Sequence, residues 1–171
     1  RQYVPEGKAN FGMFLDSTPD RWGRVLMERR ESIRAREEKR TVRTLFETDY
    51  LLGVFDGNRM GAMRFKTNPE GDFLDNDDEL ATPPLTSLRE LENAPLNIEE
   101  EDDVKASRWV KMLVSPGSSL GGARPKANVL GQDGHLWIAK FPSRKDRRDV
   151  GAWEATCMEL ARMSGIAVSP F

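Results

Sequence analysis

The residues best suited to chemistry lie in the last third of the chain, beginning with a glycine- and serine-rich stretch from Gly117 to Lys126. Such a loop exposes backbone N–H groups that can wrap phosphate oxygens. Lys140 ends a predicted strand, where its ammonium can neutralise the same oxygens. Glu154 follows on a predicted helix, where its carboxylate can hold the lysine in place. The order of these features predicts a site for the phosphates of a nucleotide.

The pattern alone leaves a second interpretation open. Protein kinases arrange their ATP-binding lobe in this order. However, the loop differs from the kinase glycine loop, and it has Ala123 and Arg124 where a P-loop needs Lys and then Ser or Thr. A Gly/Ser-rich stretch is also typical of a flexible connector, and a strand-end lysine or a helix glutamate is usually solvated. Spacing alone therefore favours a plain connector with solvated charges over a kinase-type phosphate site.

Two strands and a helix are expected to position these groups. The strands are predicted over residues 127–130 and 136–141, with the hairpin turn Gln132-Asp133-Gly134 between them. The helix is predicted over residues 147–164, and Gly165 stands at the position just past its end, where glycine is favoured. The apolar spacing of this helix predicts four buried side chains: Val150, Trp153, Cys157 and Leu160.

An amphipathic helix is predicted near the N-terminal end. Thr18 is expected to cap it, Pro19 to occupy its first position and Asp20 to meet the positive end of its dipole. An apolar stripe then recurs every three to four residues, through Trp22, Val25, Leu26, Arg29 and Ile33. The charged face from Arg34 to Arg40 is expected to be solvated, with contact to nucleic acid as the alternative.

Two further elements are predicted before the middle of the chain. A short helix over residues 43–52 is expected to bury Leu45, Phe46 and Leu51. The turn Asp56-Gly57-Asn58 is followed by a predicted strand over residues 61–66.

Composition excludes several classes of site. Lys plus Arg number 26 against 28 Asp plus Glu, so a net charge of −2 argues against bulk binding to nucleic acid or an anionic membrane. A single cysteine, Cys157, excludes an internal disulfide, and a single histidine, His135, excludes His-His zinc motifs. We expect Cys157 in the core, His135 at the surface and no metal site. No run approaches 18 apolar residues, which predicts no membrane span and a cytoplasmic protein.

The run from Ser118 to Lys126 resembles the phosphate loop of HipA-type serine/threonine kinases, the toxins of type II toxin–antitoxin modules. Trp137 to Pro142 is similar to the family's strand with its ATP-contacting lysine, and Trp153 to Ala161 to the helix that follows. Upstream, Phe14 to Asp20 resembles the family's short motif ahead of a helix, and Asp56 to Phe65 resembles the strand-forming stretch after it. The resemblance covers nearly the whole chain but well under half of a family member.

This resemblance implies a role for individual residues. Lys140 would pair with the α- and β-phosphates of ATP, and Glu154 would be its partner. Ser119 stands where the family has its autophosphorylated serine, with Ser118 beside it as the alternative. A phosphate there would repel the nucleotide and eject the loop. The other residues implied to contact ATP are Gly121, Gly122, Ala123, Arg124, Pro125 and Lys126.

We therefore predict an α+β fold in three parts. Residues 1–67 would form a small N-terminal subdomain of the antitoxin-docking type, and residues 68–103 an acidic linker with a short helix. Residues 104–171 would form a truncated ATP-binding small lobe, kinase-like, with antiparallel strands and a following helix. The resemblance places the catalytic and magnesium-binding aspartates in a C-terminal lobe that is absent here. No catalytic or metal-binding residue is assigned, and the chain, interpreted as a fragment, is expected to be inactive alone.

The resemblance also implies substrates and partners. The intact enzyme would transfer the γ-phosphoryl group of ATP, with Mg²⁺, to a serine or threonine of a translation protein such as an aminoacyl-tRNA synthetase. It would bind an antitoxin of the HipB type and would meet nucleic acid only through that antitoxin, with no membrane partner. The alternative is a truncated or split toxin subunit that binds an antitoxin and never turns over ATP.

Overall fold

The computed structural model describes residues 4, 6–8, 10–74, 88–89, 91–92, 113 and 122–171. Its elements are the helices α1 (Gly12–Leu15), α2 (Arg21–Glu37) and α3 (Glu47–Leu52), a 3₁₀ helix (Asp56–Asn58), the strands β1 (Lys126–Leu130) and β2 (Leu136–Lys140), and the helix α4 (Val150–Met163). This combination of helices with one antiparallel pair of strands is α+β, as the sequence predicts. In the part of the chain that is described, no helix is long and apolar enough to cross a bilayer.

Helix α2 begins at Arg21, two residues later than a cap at Thr18 would require. Asp20 is the N-cap, with an extended backbone and a carboxylate that accepts the Arg21 N–H at 2.9 Å. The prediction of Thr18 as the cap is wrong because its hydroxyl donates to the Phe14 carbonyl at 2.7 Å, at the end of α1. Pro19 consequently lies before the cap and not at the first helical position.

One hydrophobic core joins α2 to the strands. Trp22 and Leu26 lie one turn apart on α2, as the predicted stripe requires, and Ile33 packs against the same core. Burying a leucine side chain such as that of Leu26 contributes about 1.5–3 kcal/mol. The core consists of Trp22, Leu26, Leu91, Leu113, Ala127, Val129 and Phe141.

Strands β1 and β2 form an antiparallel hairpin, and its prediction is confirmed to within one residue at each outer end. The Gly131 N–H donates to the His135 carbonyl at 2.9 Å, and the Gly134 N–H donates to the Gly131 carbonyl at 3.1 Å. Gly134 has φ 78°, a left-handed conformation that closes a three-residue hairpin loop. His135 is exposed beside this turn, as expected.

Helix α4 ends as predicted. The Gly165 N–H donates to the Arg162 carbonyl and the Ile166 N–H to the Ala161 carbonyl, both at 3.0 Å, with Gly165 at φ 78°. This pair of bonds is a Schellman motif, for which a glycine is favoured.

The predicted burial of α4 is wrong. None of its residues is buried, with Trp153 58% and Leu160 57% exposed. Cys157 is also exposed, so it is not a core residue. The spacing of apolar residues shows which side chains share a helix face, but it does not show whether another element covers that face.

Two predictions in the N-terminal half also need correction. Helix α3 is shorter than residues 43–52, and Phe46 lies exposed at its cap, although Leu51 is buried as expected. Residues 61–66 are irregular because they pair with no strand in the described part of the chain. Arg64 instead bonds the buried Asp56 carboxylate through Nε at 2.9 Å and lies 3.5 Å from the centre of the Phe73 ring.

Candidate phosphate-binding site

Lys126 and Lys140 face each other across the open end of the hairpin. The Phe141 N–H donates to the Pro125 carbonyl at 2.9 Å, so the neighbouring pair Lys126–Lys140 is a non-hydrogen-bonded pair. In that position, opposite side chains project from the same face of the sheet and approach most closely. The hairpin therefore holds two cations side by side, on the face opposite to the core residues Ala127 and Val129.

The Lys126 ammonium stands in an electropositive, partly desolvated position. Lys126 is only 7% exposed, and no hydrogen bond of its ammonium is found among the described residues. Burial lowers the pKa of Lys126, and the charges of Lys140 and Arg124 lower it further, whereas Asp20 raises it. An anion placed against Lys126 would stabilise the charged form of its ammonium.

Gly122 lies against this ammonium. It has φ 91°, and a Cβ atom built on it would lie 3.0 Å from Lys126 Nζ. Both the left-handed backbone and the close approach favour glycine at this position.

Lys140 and Glu154 form an ion pair that links β2 to α4. The predicted partnership of these two residues is therefore found in the structure. Their side chains are 47% and 43% exposed, and such a pair contributes about 0–1 kcal/mol to stability. The contact consequently does more to orient the lysine than to hold the fold together.

Arg124, for which the resemblance implies a contact with ATP, bonds other residues of the chain in this structure. Its guanidinium makes two hydrogen bonds of 2.7 Å to the Asp146 carboxylate and a longer one of 3.4 Å to the Phe141 carbonyl. Asp146 also accepts the Ser143 N–H at 2.9 Å, and these contacts, with Arg124 first, hold its pKa below the ordinary value. This bidentate pair joins the segment before β1 to the segment after β2.

Two residues that contact the loop were not predicted from the sequence: Asp20, the N-cap of α2, and Trp22, in its first turn. The Gly122 N–H donates to Asp20 Oδ2 at 2.6 Å, and the Trp22 N–H donates to the Gly122 carbonyl at 3.1 Å. The Trp22 indole Nε1–H donates to the Lys126 carbonyl at 2.9 Å. The bond from Gly122, followed by that from Arg21, lowers the pKa of Asp20. No local signal could reveal these contacts, since each spans 100 residues or more.

The remaining predicted site residues are Ala123, Pro125, Gly121, Ser118 and Ser119. Ala123 is exposed, whereas Pro125 is buried and its carbonyl bonds to β2. Ser118, Ser119 and Gly121 lie outside the described residues. Within the described part of the chain, no three His, Cys, Asp or Glu side chains cluster as a metal site. The two lysines of the hairpin present positive charge that can contact an anion.

A comparison with protein families supports the resemblance seen in the sequence. The model of the HipA-like C-terminal domain matches residues 118–171, which include the hairpin, Lys140, Glu154 and α4. Searches of curated proteins and of solved structures gave no match. Over residues 118–171, the chain is therefore similar to HipA-like C-terminal domains.

Proposed function

We propose that this chain is part of a HipA-type serine/threonine protein kinase and that the hairpin, with the loop before it, binds the phosphates of ATP. The observation that carries the proposal is the pair Lys126–Lys140 on one face of the hairpin. Two lysines opposite each other repel, and this arrangement destabilises a bare hairpin. A polyanionic ligand bound between the two lysines would remove this repulsion, and the relief would add to the free energy of binding.

The balance of charge at the site supports an anionic ligand. Glu154 pairs with Lys140, and the Asp20 carboxylate is engaged by backbone N–H groups. Lys126 is a largely buried residue, and its partly desolvated ammonium has no hydrogen bond among the described residues. A charge-assisted contact to a phosphate oxygen would contribute about 1.5–3 kcal/mol.

The contact between β2 and α4 supports a kinase-like small lobe. In protein kinases, a strand lysine that contacts the phosphates is held by a glutamate on the following helix. Lys140 and Glu154 occupy a strand and the next described helix in this order, and their side chains meet. The role proposed for this chain is to bind and orient the phosphates, since the described residues offer neither a metal-binding group nor an assigned catalytic base.

The family resemblance supplies the rest of the proposal. The intact protein would transfer the γ-phosphoryl group to a serine or threonine of a translation protein, such as an aminoacyl-tRNA synthetase, in the cytoplasm. Residues 1–67 would dock an antitoxin of the HipB type. Phosphorylation of Ser119 would place nearly two negative charges in the loop and expel the nucleotide.

Binding of MgATP to the 171-residue chain, measured by calorimetry, tests the site. Lys126→Ala and Lys140→Ala should each weaken binding by about 10- to 150-fold, because each removes a charge-assisted contact. Lys66→Ala is the matched control, since the Lys66 ammonium is exposed and bonds the Pro69 carbonyl at 3.0 Å.

Equal affinity in the parent and both hairpin variants would refute the proposed site. Failure of the parent to bind MgATP would also count against it. In that case, a non-catalytic antitoxin-binding module would be the better account.

A further inference from the structure

Both ends of the segment from Gly122 to Lys126 are tied to the start of α2. At one end, the Gly122 N–H and carbonyl are held by Asp20 and Trp22, at 2.6 and 3.1 Å. At the other end, the Lys126 carbonyl accepts the Trp22 indole N–H at 2.9 Å. Three backbone groups of a five-residue segment are therefore fixed by two residues that lie 100 or more positions away.

The two oxygens of the Asp20 carboxylate accept hydrogen bonds from two different segments of the chain. Oδ1 accepts the Arg21 N–H and caps α2, whereas Oδ2 accepts the Gly122 N–H. A serine or asparagine would serve as well as a cap. The second oxygen is therefore unnecessary for the helix, and its contact with Gly122 calls for another explanation.

We infer that Asp20 and Trp22 are positioning residues for the phosphate-binding loop, holding Gly122 and Lys126 in the geometry that receives an anion. Trp22 is held rigidly, because it is 4% exposed and belongs to the core. The charge of Asp20 also favours the protonated form of the neighbouring Lys126. The effect on ATP rests on the proposed function, whereas the effect on the loop does not.

Asp20→Ser separates the two tasks of the carboxylate. Serine retains the cap, but its shorter side chain has one oxygen and cannot also hold Gly122. We expect amide hydrogen exchange at residues 122–126 to become about tenfold faster, with exchange in α2 unchanged. Asp20→Asn retains one acceptor oxygen and should fall between the parent and Asp20→Ser.

The matched control is Asp133→Ser in the hairpin turn, where Asp133 Oδ1 accepts the His135 N–H at 3.0 Å. This variant loses a carboxylate bond to the backbone but should leave exchange at residues 122–126 unchanged. The MgATP affinity should fall about three- to tenfold in Asp20→Ser and stay the same in Asp133→Ser.

Exchange at residues 122–126 within twofold of the parent in Asp20→Ser would overturn the inference. Equal acceleration throughout α2 would also overturn it, because Asp20 would then act only as a cap. If the loop loosens while the MgATP affinity does not change, the positioning role is refuted. If the parent binds no MgATP at all, the proposed function fails. The exchange experiment still decides whether Asp20 holds residues 122–126 in place.

Discussion

Replacing Trp22 with phenylalanine tests whether α2 and the hairpin form one folding unit. The change keeps an aromatic ring in the core but removes the indole N–H that donates to the Lys126 carbonyl at 2.9 Å. The bond connects residues 104 positions apart, so it stabilises a contact of high sequence separation.

The expected cost follows from two contributions. A neutral hydrogen bond contributes about 0.5–1.5 kcal/mol, and leaving its buried acceptor unpaired raises the cost to about 1–3 kcal/mol. The smaller ring also leaves unfilled volume beside Leu26 and Val129, which belong to the same core. We therefore expect Trp22→Phe to lower the free energy of unfolding by about 2–3 kcal/mol.

Urea denaturation followed by circular dichroism measures this change, and the chain offers a matched control. Trp153 is 58% exposed on α4, so Trp153→Phe should change the free energy of unfolding by less than about 0.5 kcal/mol. Equal, small effects of the two substitutions would show that the Trp22 indole contributes no stabilising bond. A separate early transition for the hairpin in the parent would refute the shared core.

Three further predictions concern other parts of the molecule. The buried Glu31 accepts hydrogen bonds from Arg40, and this contact lowers the pKa of Glu31 to about 2. The contribution of Glu31 to stability should therefore be complete above pH 4.5 and lost as the pH falls towards 2. Glu31→Gln should remove this part of the acid dependence of unfolding, and an unchanged acid profile in the variant would contradict the prediction. Cys157 is exposed, so it should react with a maleimide in the folded chain nearly as fast as in urea, whereas strong protection would mean that another element covers α4. Incubation of the chain alone with labelled ATP and magnesium should give no self-labelling, and stoichiometric labelling of Ser119 would show that no further catalytic group is needed.

The hairpin and the C-terminal end of α4 could be predicted because their signals are local. Gly134 and Gly165 adopt left-handed backbones within a few residues of the elements they end. The pairing of Lys140 with Glu154 was predicted from their order along the chain, and they lie 14 residues apart. Over such short separations, turn geometry and helix direction largely decide which side chains can meet.

Burial and capping were harder to predict because they depend on what surrounds an element. The apolar spacing of α4 resembles that of a core helix, yet Trp153 and Leu160 are exposed, whereas Trp22 and Leu26 on α2 are buried. Thr18 and Asp20 are both good caps, and the choice between them follows from the bond of Thr18 to α1.

The groups available at the candidate site were apparent from the residues alone: a glycine-containing loop, two lysines and a helix glutamate, in the order that suits phosphate. How these groups are held depends on the folded chain. The tertiary structure set Lys126 opposite Lys140, turned Arg124 towards Asp146, and tied Gly122 to Asp20 across 102 residues. A contact between distant segments depends on the packing of α2 against the hairpin. The apolar stripe of α2 shows that one face is buried, but it does not show which element covers that face.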